Sequence, residues 1–531
     1  MSCGSRTTGT SGAPQEPAGL RPANPSEPAA PRPSLFVGLI GLSTAAAFVG
    51  FLREVVIGAF FGASKATDVY FAALAVPFVA SHVVVAGALV PPITAHLAAL
   101  VARDEQADAA RAVRRALAIT LLGGGALVGL AEALAEPLAG LLAPGFSGQH
   151  ASAMATQLRI LLLFGLLASL SLMLNGVLTA TGAYRRPVVA VLLGNVASVL
   201  WVLVAGNALG VSAASWGLVC GALVSLGVNA SGLRGSGLPV TIRPAVPLTA
   251  AQQHLPGGRM ALLAIALAAG GAIELAERFI ASWSSAGSVS LLFFGSKLAQ
   301  FPAKLVAIPI ASVALPRLVN ALERQGRELG AGAAQEVASS AKWILVLLGY
   351  GAAVAAGAAG PIAALTFGHG KFGPAEQEVL GIVLATFAPT VIAAGLVEYG
   401  TKIALATQRL RGLVAAQVAA MVTYLVLAPL LSRFGIQGLA AARTAAWCVA
   451  AAGLSVTLAR VDKRLALGTQ LVRLGCVCAL VGYEAYLVER LAPGGPFLRV
   501  ALTLAVTGPS YLALVRYALR LPTEALLPRP C

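Results

Sequence analysis

Charged side chains are scarce in this chain. They make up 11% of its 531 residues, where soluble domains carry about 25%. A soluble chain of this length could not cover its surface with so little charge, which excludes a cytosolic enzyme. Cysteine is also sparse. The six cysteines are scattered, which excludes a disulfide scaffold, and Cys476-x-Cys478 lies in an apolar run with no histidine nearby. That pair reads as small helix-packing residues rather than a metal site. The five histidines show no ligand spacing, so neither a metal nor a catalytic group is expected. There is no G-x-x-x-x-G-K-[ST] sequence, so no ATP is expected to be hydrolysed through a P-loop. No soluble basic domain stands ready to hold nucleic acid.

What the chain has in abundance is apolar sequence: 58% of residues, with a mean hydropathy of +0.83. Residues 1–33 are rich in Pro, Ser, Gly and Thr and read as a disordered tail. They lack the basic–apolar–small pattern of a cleaved signal. From Ser34 onward the apolar runs follow one another closely. They predict about fourteen spans, near 35–61, 69–98, 113–138, 157–181, 187–207, 211–231, 259–281, 287–316, 341–366, 378–405, 410–431, 436–459, 469–489 and 497–517, each long enough for about 30 Å of hydrocarbon. The fold class expected is therefore an all-α polytopic membrane protein.

The loops between these runs alternate in charge. Arg103, Arg111, Arg114 and Arg115 follow the second span, and Arg185 and Arg186 the fourth. Arg234, Arg243 and Arg259 surround the next even loop; Arg317, Arg324, Arg327 and Lys342 follow the eighth span. Arg409 and Arg411 follow the tenth, and Arg460, Lys463 and Arg464 the twelfth. The intervening loops hold little beyond Lys65, Lys371, Arg433, Arg490 and Arg499. Basic loops mark the cytoplasmic side, and that bias accounts for most of the net charge of +16. Both termini are thus expected in the cytoplasm. Labelling of introduced cysteines should find 1–33, 100–112, 233–258 and 318–341 on that side; an external 233–258 loop would overturn the span count.

A weak internal repeat accompanies the pattern. Span two ends Gly87-Ala-Leu-Val-Pro-Pro-Ile-Thr-Ala-His-Leu, and span eight ends Ala311-Ser-Val-Ala-Leu-Pro-Arg-Leu-Val-Asn-Ala-Leu. An offset of six spans keeps the copies in one orientation, which suggests two six-helix lobes. The expected division is a cytoplasmic tail (1–33), an N-lobe (34–232), a cytoplasmic linker (233–258), a C-lobe (259–460), and two further helices with a C-terminal tail (461–531).

Several spans hold residues that hydrocarbon does not tolerate alone, since a mid-bilayer charge costs about 2.5–3.5 kcal/mol on insertion scales. Glu274, Glu277 and Arg278 share one face of span seven, with Glu274 four residues before Arg278. Lys297, Gln300 and Lys304 share one face of span eight. Glu398 and Lys402 stand at i and i+4 in span ten. Arg53 and Glu54 lie in span one, and Asp68 opens span two. Such pairs can staple helices or snorkel. In a two-lobed transporter they would line the cleft and make a cation-rich cavity suited to phosphate or diphosphate.

Specific segments then point to a family. Gly50-Phe-Leu-Arg-Glu-Val-Val-Ile-Gly-Ala-Phe-Phe-Gly-Ala-Ser-Lys-Ala-Thr-Asp68-Val-Tyr-Phe71 resembles the first hairpin of the MurJ (MviN) lipid II flippases of the MOP superfamily. Ala143-Pro-Gly-Phe146, Phe293-Phe-Gly-Ser-Lys-Leu-Ala-Gln-Phe-Pro302 with Leu315-Pro316, Gly370-Lys-Phe372 and Asn195 match further family segments, so the likeness covers most of residues 35–460. It implies that Arg53 and Asp68 fall on positions needed for flipping, and that Lys297 falls on a cavity arginine position. It also implies a lipid-tail groove supported by spans thirteen and fourteen. The chain departs from the family pattern at Ala47, Ser81, His82, Ser296 and Gln300, where charged positions are lost.

The reading is a transporter, not an enzyme, with no catalytic residue, metal or cofactor. It flips a polyprenyl-diphosphate-linked glycan precursor of the lipid II type across a bacterial inner membrane. The alternatives are an exopolysaccharide or O-antigen repeat-unit flippase, or a drug or cation antiporter of the same superfamily. Arg53, Asp68, Arg278, Lys297, Gln300 and Lys402 are the expected substrate contacts; Glu54, Glu274, Glu277 and Glu398 are the expected gating ion pairs. The partners are the lipid-linked glycan and membrane lipid, with a coupling ion or the membrane potential as driving force.

Overall fold

The computed structural model describes residues 33–234, 257–324, 330–460, 462–465 and 467–519. The expected N-terminal tail, most of the 233–258 linker and the C-terminal tail lie outside the described residues. Among the described residues the fold is all-helical. The first run is α1 (Pro33–Phe61), α2 (Lys65–Ala80), α3 (Val90–Ala102), α4 (Gln106–Ala133), α5 (Ala135–Leu142), α6 (Gln149–Ala180), α7 (Arg185–Leu209) and α8 (Ser212–Arg234). The second is α9 (Gly257–Ala281), α10 (Ser288–Arg324), α11 (Ala331–Gly357), α12 (Ala359–Phe367), α13 (Pro374–Ala406), α14 (Leu410–Leu431) and α15 (Gly435–Ala459). Two more follow, α16 (Gly468–Leu491) and α17 (Pro496–Leu519).

Three junctions do not reverse the chain. Residues Ser81–Leu89 join α2 to α3 as a π-helical stretch, and single residues separate α4 from α5 and α11 from α12. Helices so joined make one pass each, so the order agrees with the fourteen expected runs. Among the described residues eleven stretches are long and apolar enough to cross a membrane, one of them, Leu410–Ala459, comprising both α14 and α15. The α2–α3 pass and α9 fall outside that set. The first is broken by its π-helical stretch, and the second carries Glu274, Glu277 and Arg278.

The π-helical stretch has a local cause. Pro77 lies inside α2, and Pro91 and Pro92 open α3. Proline removes a backbone donor and crowds the preceding turn, so the ladder between these points cannot hold a regular i→i−4 register. The backbone N–H of Ser81 bonds back to Phe78 and Pro77.

The two runs repeat each other. In the first, α1 packs on α7, α2 on α6, α6 on α8 and α7 on α8; in the second, α9 packs on α14, α10 on α13, α13 on α15 and α14 on α15. The runs meet where α2 crosses α9 and α10, and α1 crosses α10. Small residues make close approach possible: a Cβ on Gly194 would come within 2.7 Å of the Gly221 carbonyl oxygen across the α7–α8 contact. The last two helices pack on α11 and α12.

Candidate functional site

At one end of the bundle the loops of both runs interlock. Asp68 in the first turn of α2 is buried, and its carboxylate accepts from the Gly287 N–H (2.7 Å), the Ser290 N–H (2.8 Å) and the Ser290 hydroxyl (2.7 Å). It therefore caps the first turn of α10 from a neighbouring helix, where the unpaired N–H groups and the helix dipole favour an anion. Gly287 reaches this position with φ of +87°, and a Cβ there would strike the Ala63 carbonyl at 2.5 Å. The Lys371 N–H donates to the Ala59 carbonyl (2.8 Å), and the Gly145 N–H to Ser282 Oγ (3.0 Å). Lys65 lies over the Phe146 ring at 4.5 Å. Beneath these loops sits an aromatic plug. Phe71 stacks on Phe293 at 4.0 Å and meets Phe294 edge-on, and Phe294 continues to Phe367 and Phe372. The segments that resemble a family in the sequence are the ones that close this end.

Below the plug a cavity of about 640 Å³ opens between α1, α2, α6, α7, α8 and α10. Arg53, Glu54, Lys297 and Lys304 line it, so cations outnumber carboxylates on its wall. Arg53 donates to Glu54 (2.6 Å) and to Asn195 Oδ1 (3.3 Å), and the Asn195 amide in turn donates to the Ala46 carbonyl (3.2 Å). The guanidinium is thereby held in a fixed direction. The Lys297 ammonium lies 4.8 Å from the Phe293 ring centre and 5.4 Å from that of Phe78. It makes no ion pair with any described residue, and cation–π contact leaves its donors available. The opposite wall is lined with small polar groups. Ser171 and Ser225 share a hydrogen bond (3.0 Å), and Asn229 donates to Ser171 Oγ (3.0 Å) and Asn175 Oδ1 (2.7 Å).

Not every expected contact is here. Asp68 is spent as a helix cap and lies outside the cavity wall. Arg278 is 4% exposed, pairs with Glu277 at 2.5 Å and lines neither this cavity nor the one described next. A buried, engaged guanidinium is not available to a substrate, so both are structural in this conformation. The Glu274–Arg278 pairing expected from i, i+4 spacing is replaced. Arg443 of α15 reaches Glu277 at 2.7 Å and Glu274 at 3.5 Å, and Arg278 turns to Glu277. Glu398 and Lys402 do pair, at 3.1 Å, on α13, but line neither cavity. Gln300 and Glu274 border a separate, smaller cavity of about 260 Å³ between α2, α9, α10, α14 and α15. Arg443 is the residue sequence reasoning missed. Its signal was plain: a lone arginine in the middle of an apolar span. Among the described residues no group of three or more His, Cys, Asp or Glu is placed to hold a metal ion.

The model of the family described as lipid II flippase MurJ matches residues 57–504. The chain belongs to this family. Among solved structures, a lipid II flippase MurJ in an inward closed conformation is similar over 92% of this chain and 99% of its own, with 16% identity and a TM-score of 0.72. An inward-facing multidrug resistance MATE family transporter of the MOP superfamily matches at 15% identity and a TM-score of 0.60, over 80% of this chain and 94% of its own. A MOP superfamily transporter from Pyrococcus furiosus, described as having a binding pocket of reverse polarity, matches at 13% identity and a TM-score of 0.56, over 81% and 95%. Likeness at these identities establishes a shared fold. Family membership rests on the long match of the family model, which takes in most of the interlocked end and the α2, α6, α7, α8 and α10 walls of the cavity, while Arg53 and Glu54 on α1 precede it.

The interlock makes its own prediction. Asp68→Ala would leave the Gly287 and Ser290 N–H groups buried without an acceptor, at a cost of about 1–3 kcal/mol each. A difference of that size shifts a two-state opening at least about tenfold. The check is labelling of a cysteine placed at buried Val289, in a cysteine-free background, with a membrane-impermeant maleimide. Labelling should rise in Asp68→Ala and stay low with Asp68 present. An unchanged rate would show that the carboxylate does not hold this end shut.

Proposed function

We propose that the chain flips a polyprenyl-diphosphate-linked glycan of the lipid II type across a bacterial inner membrane, with both termini in the cytoplasm. The observation that carries the reading is the 640 Å³ cavity, whose free cation Lys297 and oriented cation Arg53 face a wall of hydroxyls and carboxamides. A diphosphate needs fixed donors in a water-poor setting, and a glycan needs small polar groups beside them. The runs α1–α8 and α9–α15 act as lobes. With the interlocked end on the outer side, a head group enters from the cytoplasm and is released when the Asp68 cap and the aromatic plug part. The membrane potential or an ion gradient supplies the drive.

The experiment is complementation of a strain depleted of its lipid II flippase, with head-group translocation followed in the same cells. Growth and translocation restored by this chain support lipid II as the substrate. Failure there, together with transport of an exopolysaccharide repeat unit, would transfer the role to that alternative. A drug or cation antiporter fits less well, because the larger cavity carries excess positive charge.

A further inference from the structure

Lys304 stands on the wall of the larger cavity and makes no ion pair with any described residue. It follows Lys297 by seven residues on α10, which returns it to the same helix face. At 1.5 Å per residue the two lie about 10 Å apart along the axis, and Lys304 is about 21 Å from Ser290 at the interlocked end. Lys297 is half-buried, whereas Lys304 is exposed. The cavity continues to this level on its other walls. Ser43, ten residues before Arg53 on α1, and Pro187, in the first turn of α7, both line it. Lys304 thus stands at the mouth that faces away from the interlock, and Lys297 stands in the depth.

Neither lysine serves the fold through its charge. Arg53 and Glu54 satisfy each other, which leaves the two ammoniums as the uncompensated charge of the wall. Like charges on one helix face repel, and each cation in an apolar span costs about 2.5–3.5 kcal/mol on insertion scales. A lysine that only snorkelled would carry its ammonium to the membrane surface; Lys304 lines the cavity instead. The surplus is the complement of a diphosphate diester, each of whose phosphates keeps a single acidic oxygen. Between the two lysines Phe301 also lines the wall, and its ring stacks on Phe51 at 4.6 Å. That ring divides the row of cations into an outer and an inner position.

We propose that Lys304 is the capture residue for the diphosphate: it meets the anion at the mouth, and the anion then passes Phe301 to reach Lys297 and Arg53. The assignment rests on the flippase reading and adds an order of contacts to it. An exposed charge at a rim acts on encounter, because its field extends about a Debye length into the solvent. A donor held in the depth acts on residence. The two lysines therefore divide the task, the outer one setting how fast the head group arrives and the inner one how long it stays.

The test follows a fluorescent short-chain prenyl diphosphate binding to the full-length, detergent-purified protein by stopped flow. Lys304→Gln should slow association about tenfold at low salt, within the range that electrostatic steering supplies, and leave dissociation within about twofold. Lys304→Arg should restore the rate. The difference should close at about 1 M salt, where the Debye length is about 3 Å. Lys297→Gln should show the opposite split, with dissociation the more affected. Faster dissociation of Lys304→Gln at an unchanged association rate, no change in either, or a slowing that persists at high salt overturns the proposal. Phospholipid offers the same phosphate chemistry. Excess short-chain phosphatidylglycerol should leave association with the unmodified protein within about twofold; slowing to the Lys304→Gln rate would assign the mouth to bulk lipid and overturn the proposal. The flippase reading is tested apart from this, by translocation in proteoliposomes. Failure there, with Lys304 still setting the association rate, removes the flippase reading and leaves the capture site. An unmodified protein that binds no probe removes the capture site.

Discussion

Lys297→Glu should abolish translocation of a lipid-linked glycan while the protein accumulates to its normal level. Lys297 lines the main cavity and lies over the rings of Phe78 and Phe293. Its replacement therefore breaks no ion pair among the described residues. For the substrate the change is severe. A charge facing a phosphate at about 4 Å is worth about 4 kcal/mol at an effective dielectric of 20, and reversal turns that attraction into repulsion of similar size. The rate should fall at least about a thousandfold. Lys297→Arg should keep activity within severalfold, because a guanidinium offers the same charge and two parallel donors to phosphate oxygens. The measurement is head-group translocation in proteoliposomes alongside protein yield, with efflux of a cationic dye followed in parallel. Dye export that survives the reversal, with glycan transport unchanged in both variants, would favour an antiporter.

Arg443→Met is expected to fail differently, through folding. Arg443 is 4% exposed and holds Glu277, which is fully buried, at 2.7 Å, with Glu274 at 3.5 Å. Its loss removes the guanidinium that Glu274 and Glu277 share and leaves Arg278 as the ion-pair partner of buried Glu277. Breaking a buried pair by removing one partner costs about 3–5 kcal/mol, chiefly through the charge left behind. The yield of monodisperse protein and its thermal midpoint should both drop sharply. Adding Glu277→Gln should restore much of the loss, because one carboxylate and one cation then remain, Glu274 and Arg278, at the i, i+4 spacing that lets them pair. A double variant no better than the single one would show that Arg443 acts by packing rather than charge.

The contrast between these residues explains how much the sequence could disclose. Spans follow from apolar runs, and all fourteen passes were visible, including the α4–α5 and α11–α12 passes with their one-residue breaks. Pairs within one helix follow from spacing, and Glu398–Lys402 formed as its i, i+4 spacing implies. Lys297 and Lys304 share a cavity because they share a helix face. Contacts between helices follow no such rule. Nothing local to Asp68 announces that its partners are Gly287 and Ser290, more than two hundred residues away. Arg278 had an available partner in Glu274, but Arg443 arrived from α15 and the carboxylates were shared out anew. A helix-surface pair is worth only about 0.2–0.5 kcal/mol, so a buried cation from another helix readily displaces it. The polar wall of Ser171, Asn175 and Ser225 escaped notice for a related reason. Small polar residues in an apolar span are usually packing residues, and only the arrangement of α6, α7 and α8 turns theirs to one cavity.

The π-helical stretch at Ser81–Leu89 makes the repeated architecture mechanically unequal. Its counterpart α10 runs for 37 residues as one α-helix, without such a stretch. The α2–α3 pass contains wider turns in which residues are held in surplus. Each surplus residue that slides into ordinary α geometry rotates everything beyond it by about 100° and advances it about 1.5 Å. Such a slip needs no loop to unfold and no hinge to bend. It turns the α3 end of the pass relative to Phe78 and the Asp68 cap, as a screw thread converts a small axial shift into rotation. The cavity face of α2 would then turn without any change in the loops that join the passes.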